Sequence, residues 1–269
     1  VGDLNTAREE LGGAGITTAA LAFGGSTGSV SAVNESWNGT SWTELADLNT
    51  ARQGAVGSGT QTAGIVAGGT TPSRLEVESW NGSSWSEVNE LNVGRKNAHS
   101  FLGGLQTASL FISGVTNPPS TTSAAVESYN GTSWTEIADV NTSRRQFAGA
   151  GTQTSALISG GGATTNVESW NSTSWTETTE LNTAREETGG AGSSNTNALV
   201  FGGNPAIAIT ESWNGSSWTE VADMATGKNN KGGTGSNTAA LAIGGQPGAI
   251  TATEEWTVPD VSIKTVTTS

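Results

Sequence analysis

The carboxylates of this chain recur in register. Glu35, Glu78, Glu127, Glu168, Glu211 and Glu254 form one column with a period of 41 to 49 residues. A second column is Glu44, Glu87, Glu136, Glu177 and Glu220, and a third is Asp3, Asp47, Glu90, Asp139, Glu180 and Asp223. Arg8, Arg52, Arg95, Arg144, Arg185 and Lys228 make a matching basic column. Paired carboxylates can serve as general acid and base, but a catalytic site needs a few residues made different from their copies, not one residue repeated in every unit. The expectation is structural: carboxylates that pair with the arginine column and with backbone donors, and arginines that brace neighbouring units through charge-assisted hydrogen bonds.

Other chemistry finds little support. His99 is the only histidine and there is no cysteine, so disulfides and thiolate metal sites are excluded. No Asp-x-Asp-x-Asp-Gly loop is present, and the expectation is a protein without metal or cofactor. Neither a Ser-His-Asp set nor a dinucleotide fingerprint occurs. The Gly-Gly pairs follow apolar runs without opening a helix, which a phosphate cradle requires. Asn38, Asn81, Asn130, Asn141, Asn171 and Asn214 each satisfy the N-glycosylation acceptor pattern, though a turn accounts for all of these but Asn141.

Composition narrows the partners. The formal charge of −13, with only 11 Lys and Arg, repels phosphate backbones and anionic lipid headgroups, so neither nucleic acid nor membrane insertion is expected. No apolar run reaches membrane-spanning length. The chain opens at Val1 within a repeat, which suggests part of a larger polypeptide or assembly.

The elements that must position these columns follow from the repeat. Leu4-Asn-Thr-Ala-Arg8 returns at Leu48, Leu91, Val140, Leu181 and Met224, giving six units. After each Arg or Lys a small-residue stretch such as Gln53–Gly57 reads as strand a, followed by a turn of the Gly59–Thr62 type. The apolar run Gly64–Ala67 and its copies form strand b, halted by Gly-Gly at 24–25, 68–69, 160–161, 202–203 and 244–245, with Ser113-Gly114 as the variant. Strand c ends in Glu-Ser-Trp. An Asn-Gly hairpin leads into strand d, which runs from the second Trp through Thr-Glu-Leu-Ala-Asp. Trp37 then faces Trp42, Trp80 faces Trp85, Tyr129 faces Trp134, Trp170 faces Trp175, and Trp213 faces Trp218, as staples between units. The predicted fold class is all-β, a six-bladed β-propeller of four-stranded antiparallel blades.

An Arg-led first strand, Gly-Gly after an apolar second strand, and an aromatic followed five residues later by Trp resemble the kelch repeat. The resemblance covers residues 4 to 256 in six copies, departing at Ser113 and Tyr129 and lacking a second Trp after Trp256. It implies one domain of six repeats over residues 1–256. Residues 257–269 then form a C-terminal β tail: Val261–Thr267 either closes the sixth blade or acts as a tether. Kelch-type copper oxidases use a Tyr joined to Cys and two histidines, which this chain lacks. Sialidase-type Asp-box turns are similar to Ser36–Trp42, but the copies here are one residue shorter and carry Asn for Asp. Near-identical repeats of this kind look like those of phage-associated structural proteins.

In such blades the d-to-a and b-to-c connections share one rim. The b-to-c loops differ in length, from 162–166 to 115–123, and hold Pro72, Pro118, Pro119, Pro205 and Pro247. Beside the channel on that rim come the residues just after the Arg column: Glu9, Glu10, Gln53 with Gly54, Lys96, Asn97, Arg145, Gln146, Glu186, Glu187, Asn229 and Asn230. They mix charges and amides while their neighbours stay constant, which makes them the ligand-binding candidates, although variation at a solvated mouth needs no ligand. The expected function is a non-enzymatic binding or display module on an extracellular or virion surface structure, recognising protein or glycan by this rim. An intracellular-type kelch interaction scaffold and a secreted glycan-active enzyme are the alternatives.

Overall fold

The structure, a computed structural model, describes residues 1–69, 74–97, 104–116 and 118–258. Pro72, His99 and Val261–Thr267 lie outside the described residues. The first blade is β1 (Gly12–Ile16), β2 (Ala19–Phe23), β3 (Asn34–Trp37) and β4 (Trp42–Glu44), and the second is β5 (Val56–Thr60), β6 (Ala63–Ala67), β7 (Val77–Trp80) and β8 (Trp85–Val88). The third contributes β9 (Ser109–Ile112), a small ribbon of β10 (Val115–Thr116) with β11 (Thr121–Thr122), then β12 (Val126–Tyr129) and β13 (Trp134–Ile137). Blade four is β14 (Ala148–Thr152), β15 (Ser155–Ser159), β16 (Val167–Trp170) and β17 (Trp175–Glu177). Blade five is β18 (Gly189–Ser194), β19 (Asn197–Phe201), β20 (Thr210–Trp213) and β21 (Trp218–Val221), and blade six is β22 (Gly232–Gly235), β23 (Ala239–Ile243) and β24 (Thr253–Thr257). Each blade is an antiparallel meander in chain order, and the chain forms a six-bladed β-propeller. In blades three and six, three blade strands are described.

Among the described residues strand a is the innermost of blades one, two, four, five and six, and its glycines explain how these strands converge. A Cβ added to Gly190 would lie 2.7 Å from the Gly149 carbonyl oxygen, and one on Gly233 would lie 2.6 Å from that of Gly190. Strand b is buried on both faces, which accounts for its continuous apolar run. The strand-a boundary differs from the sequence reading. β5 begins at Val56, three residues after Gln53, because Gly54 adopts φ +59° and cannot be extended. Strand d is also shorter than read, ending at Glu44 in blade one and at Val88 in blade two.

The aromatic pairs form as the spacing predicts. Trp37 opposes Trp42 and Tyr129 opposes Trp134 across the hairpins, with ring centroids 5.3 Å and 4.8 Å apart. Each pair packs into the preceding blade: Trp170 and Trp175 sit against Leu110, Ile112 and Val126 of blade three, and Trp37 and Trp42 against Leu241 and Ile243 of blade six. The core is therefore a set of inter-blade layers, and burial in one blade depends on its neighbour.

The arginines work differently from the expectation that they brace neighbouring units. Every arginine side chain of the column stays within its own blade. Arg52 donates to the Gly68 and Glu76 carbonyls at 3.1 and 2.9 Å and to Glu78 at 2.6 Å, joining the end of strand b to strand c. The link between blades is the backbone at the same positions. Gly25, Gly69, Gly114, Gly161, Gly203 and Gly245 donate their N–H groups to the carbonyls of Arg52, Arg95, Arg144, Arg185, Lys228 and Arg8. That series is a complete circuit, and its last bond closes blade six onto blade one. Of the three carboxylate columns only the first pairs with the arginines; Glu44, Glu87, Glu136, Glu177 and Glu220 are exposed.

Candidate binding site at the channel mouth

The residue two places after each Arg adopts left-handed backbone geometry: φ is 50° at Glu10, 59° at Gly54, 50° at Asn97, 55° at Gln146, 56° at Glu187 and 47° at Asn230. In this conformation each N–H reaches the carbonyl of the blade before. Gly54 donates to Glu10 at 3.0 Å, Asn97 to Gly54 at 3.1 Å, Gln146 to Asn97 at 3.1 Å, Glu187 to Gln146 at 2.7 Å, Asn230 to Glu187 at 3.0 Å and Glu10 to Asn230 at 2.8 Å. Six main-chain hydrogen bonds thus run round the mouth without a break. Asn and Gly tolerate positive φ, whereas Glu and Gln adopt it at a cost of about 1–2 kcal/mol, which the closed ring offsets.

The preceding residues anchor the variable loops to this ring. Glu9 bridges to Ser26, Lys96 to Val115, Glu186 to Asn204 and Asn229 to Gln246, each partner being the first residue after the Gly-Gly pair or its Ser-Gly variant. The sequence candidates therefore divide by their side chains. Asn229 is buried, with Nδ2 donating to Glu187 at 2.7 Å, and Gln146 donates to the other Glu187 oxygen at 3.2 Å. Gln53 donates to Glu10 at 3.1 Å. Arg145 is exposed, and Glu9, Lys96, Asn97, Glu186 and Asn230 are half-buried.

Below the mouth the channel encloses about 550 Å³, walled by the glycine-rich strands a and by Thr188, Lys231 and Thr234. Burial holds the Glu10 carboxyl above the usual carboxylate range, the charges of Glu9 and Glu187 add to this, and the Gln53 hydrogen bond and Lys96 oppose it. Charge is segregated around the ring. Blades five and one carry Glu186, Glu187, Glu9 and Glu10, while blades three and four present Lys96 and Arg145. Among the described residues no cluster of three or more His, Cys, Asp or Glu is placed to hold a metal ion.

Lys231 is a site residue that the sequence reading missed. Its column is Leu11, Ala55, Phe147 and Thr188 in blades one, two, four and five, so one lysine among uncharged residues was the available signal. It is 3% exposed, donates to the Lys228 carbonyl at 3.0 Å and lies over the Phe201 ring at 5.7 Å. Burial, with help from the charges of Lys228 and Arg185, lowers its pKa from 10.5 to about 7. Between those values the unfolded chain binds a proton that the folded chain does not, so stability rises with pH from about 7 to 10.5. We expect Lys231→Leu to raise the urea midpoint at pH 7 and to flatten that rise; an unchanged pH slope would show that the lysine is not desolvated.

The Asn three residues before each Arg of the column was also passed over. Asn5, Asn49, Asn92, Asn141 and Asn182 donate Nδ2 to the blade's Glu and to the carbonyl of its second Trp. The Asn141 sequon is thereby occupied internally. In the Asn-Gly turns, Oδ1 of Asn38 accepts from the N–H groups of Thr40 and Ser41, both at 2.9 Å, as a turn requires without any glycan.

No protein-family model and no curated protein matches this chain. The solved structure of YjhT is similar to it with a TM-score of 0.80, at 12% sequence identity and over 96% of this chain and 97% of that one. At that identity the likeness is one of fold, and the chain is a β-propeller of repeated blades whose channel mouth is the candidate binding site.

Proposed function

We propose that the protein is a non-enzymatic, kelch-like binding module that recognises a protein or glycan ligand through the rim of b-to-c and d-to-a loops. Display on an extracellular or virion surface structure, as in a tail fibre or adhesion device, is the setting we favour, from the Thr/Ser/Asn/Gly-rich, lysine-poor composition and the resemblance of the repeats. The observation that carries the binding reading is the mouth. Side chains that differ from blade to blade are mounted on a main-chain ring that does not vary, above a channel of about 550 Å³. Positive φ at Glu10, Gln146 and Glu187 supports it further, since strained positions are retained where neighbouring structure fixes them for a purpose.

The test is Lys96→Glu with Arg145→Glu, which inverts the basic arc of the mouth. Both side chains are at least partly exposed, so the melting temperature should move by less than about 2 °C. On glycan and peptide arrays, ligands retained by the native protein should bind at least about tenfold more weakly to the double variant, roughly 1.4 kcal/mol. Undiminished retention would remove the mouth from recognition, and release of a cleaved product would replace binding with catalysis.

A further inference from the structure

Glu10 and Glu187 are two of the six ring residues that border the channel, and Asn230 of blade six stands between them in the ring. Among the described residues neither carboxylate is in an ion pair. Their side-chain partners are neutral amides: Gln53 for Glu10, and Gln146 and Asn229 for Glu187. A carboxylate offers about four lone-pair sites, so both keep acceptor capacity. Lys231 is the buried cation of this sector, yet its Nζ donates to the Lys228 carbonyl at 3.0 Å. Burial, with the charges of Glu9 and Glu187, holds the Glu10 carboxyl above the usual carboxylate range, a cost that a cation seated there would remove.

Two side chains beside these carboxylates are buried with acceptor atoms left over. Thr188, the residue that follows Glu187, lines the channel and is 1% exposed, and its Oγ1 has no hydrogen-bond partner. Asn229 is 8% exposed; its Nδ2 is committed to Glu187 at 2.7 Å, and its Oδ1 is buried and unpartnered. Each such orphan costs about 1–3 kcal/mol and is uncommon in native structures. The main-chain ring offers them nothing, because its six N–H groups are all given to carbonyls of the neighbouring blades. Two carboxylates, an amide oxygen and a hydroxyl oxygen thus share one sector and call for a compact group with several N–H donors. A primary ammonium, with three, is such a group.

The rest of the mouth indicates what carries that ammonium. Lys96 and Arg145 stand on blades three and four, apart from Glu187 and Glu10 on blades five and one. This basic arc repels the further charges of a polyamine and attracts a carboxylate placed next to a lysine in a polypeptide. Building on the mouth as the binding site, we propose that Glu10 and Glu187 seat a primary ammonium inserted from the rim, with Thr188 Oγ1 and Asn229 Oδ1 as further acceptors, and that a lysine side chain with acidic neighbours on a protein ligand supplies it. The carboxylates give the charge, and the two neutral oxygens favour a group with several donors.

The experiment titrates the full 269-residue chain with a labelled Glu-Lys-Glu peptide blocked at both ends, and with the same peptide carrying norleucine in place of lysine. Saturable binding of the lysine peptide is expected, at least about tenfold tighter than that of the norleucine peptide. Glu10→Gln with Glu187→Gln should weaken the lysine peptide by at least about tenfold. Thr188→Val should weaken it about threefold while the melting temperature holds or rises, because an unpartnered buried hydroxyl is removed; a merely structural threonine would not separate the two readouts. Equal binding of the two peptides overturns the ammonium seat without recourse to any variant, and so does undiminished binding to the double glutamine variant. Spermidine binding more tightly than the lysine peptide would give the site to free polyamines and overturn the protein source. If the lysine peptide does not bind at millimolar concentration the seat is lost as well, while the mouth itself is judged by the Lys96→Glu, Arg145→Glu variant on the arrays, so the two readings fail separately.

Discussion

Replacing Glu78 by alanine should destabilise the protein by roughly 3–5 kcal/mol, the cost of leaving a buried charge without its partner. Glu78 Oε1 takes Arg52 at 2.6 Å and Thr50 N at 3.2 Å, and Oε2 takes Asn49 N at 2.8 Å and Asn49 Nδ2 at 3.1 Å. Both ion-pair side chains are at most 1% exposed. Burial lowers the arginine's pKa, and Glu78 is the group that opposes this most strongly. Alanine would leave the guanidinium with carbonyl partners only and two N–H groups of the Asn49-Thr50 turn without an acceptor. Glutamine should rescue less than half of the loss, since its amide nitrogen must face a donor on one side. In blade six the counterpart is a Lys228–Glu254 pair in which Glu254 is 21% exposed and Ala225 replaces the Asn. Glu254→Ala should therefore cost well under half as much. Urea denaturation of the three variants checks the series, and a Glu78→Ala loss below about 1 kcal/mol would mean that water enters the site and screens the arginine.

The same contrast shows what a linear sequence exposes. Six units, strand order, hairpin pairing and the facing aromatics were legible because each rests on local spacing: Asn-Gly sets a hairpin, and a hairpin fixes which residues oppose each other. The glutamate column could be recognised as structural because it repeats. What was not legible depends on angles and on neighbours in space. Nothing local to Gln53-Gly54 says that this pair, instead of beginning strand a, turns left-handed and hands its N–H to the blade before. The ring at the mouth is a property of six blades together. The arginine side chain was expected to reach across a blade boundary, but its length is used along its own b-to-c connection, while its backbone makes the crossing. At the candidate site, variation marked the right rim, yet which side chains stay available was hidden in their mutual bonds, as with Asn229 and Glu187.

Trp175→Ala should be the other severe substitution. Trp175 is 5% exposed, lies 5.3 Å from the Trp170 ring, packs on Leu110, Ile112 and Val126 of blade three, and donates Nε1 to Ala138 at 3.1 Å. Truncation of a buried Trp costs about 3–5 kcal/mol through lost transfer energy and the cavity left behind. For a chain of this size that corresponds to a melting temperature lower by about 5–10 °C. Because the ring belongs to an inter-blade layer, the cavity opens at a joint, and unfolding should become less cooperative across blades three and four. Trp256 supplies the internal comparison. It opposes no second tryptophan, it borders a cavity of about 360 Å³, and its Nε1 has no partner to lose. Trp256→Ala should therefore cost about half as much, and the two proteins should separate clearly in denaturant midpoint. Equal losses would mean that Trp256 is packed as tightly as the tryptophans of the other blades and that the neighbouring cavity does not loosen it.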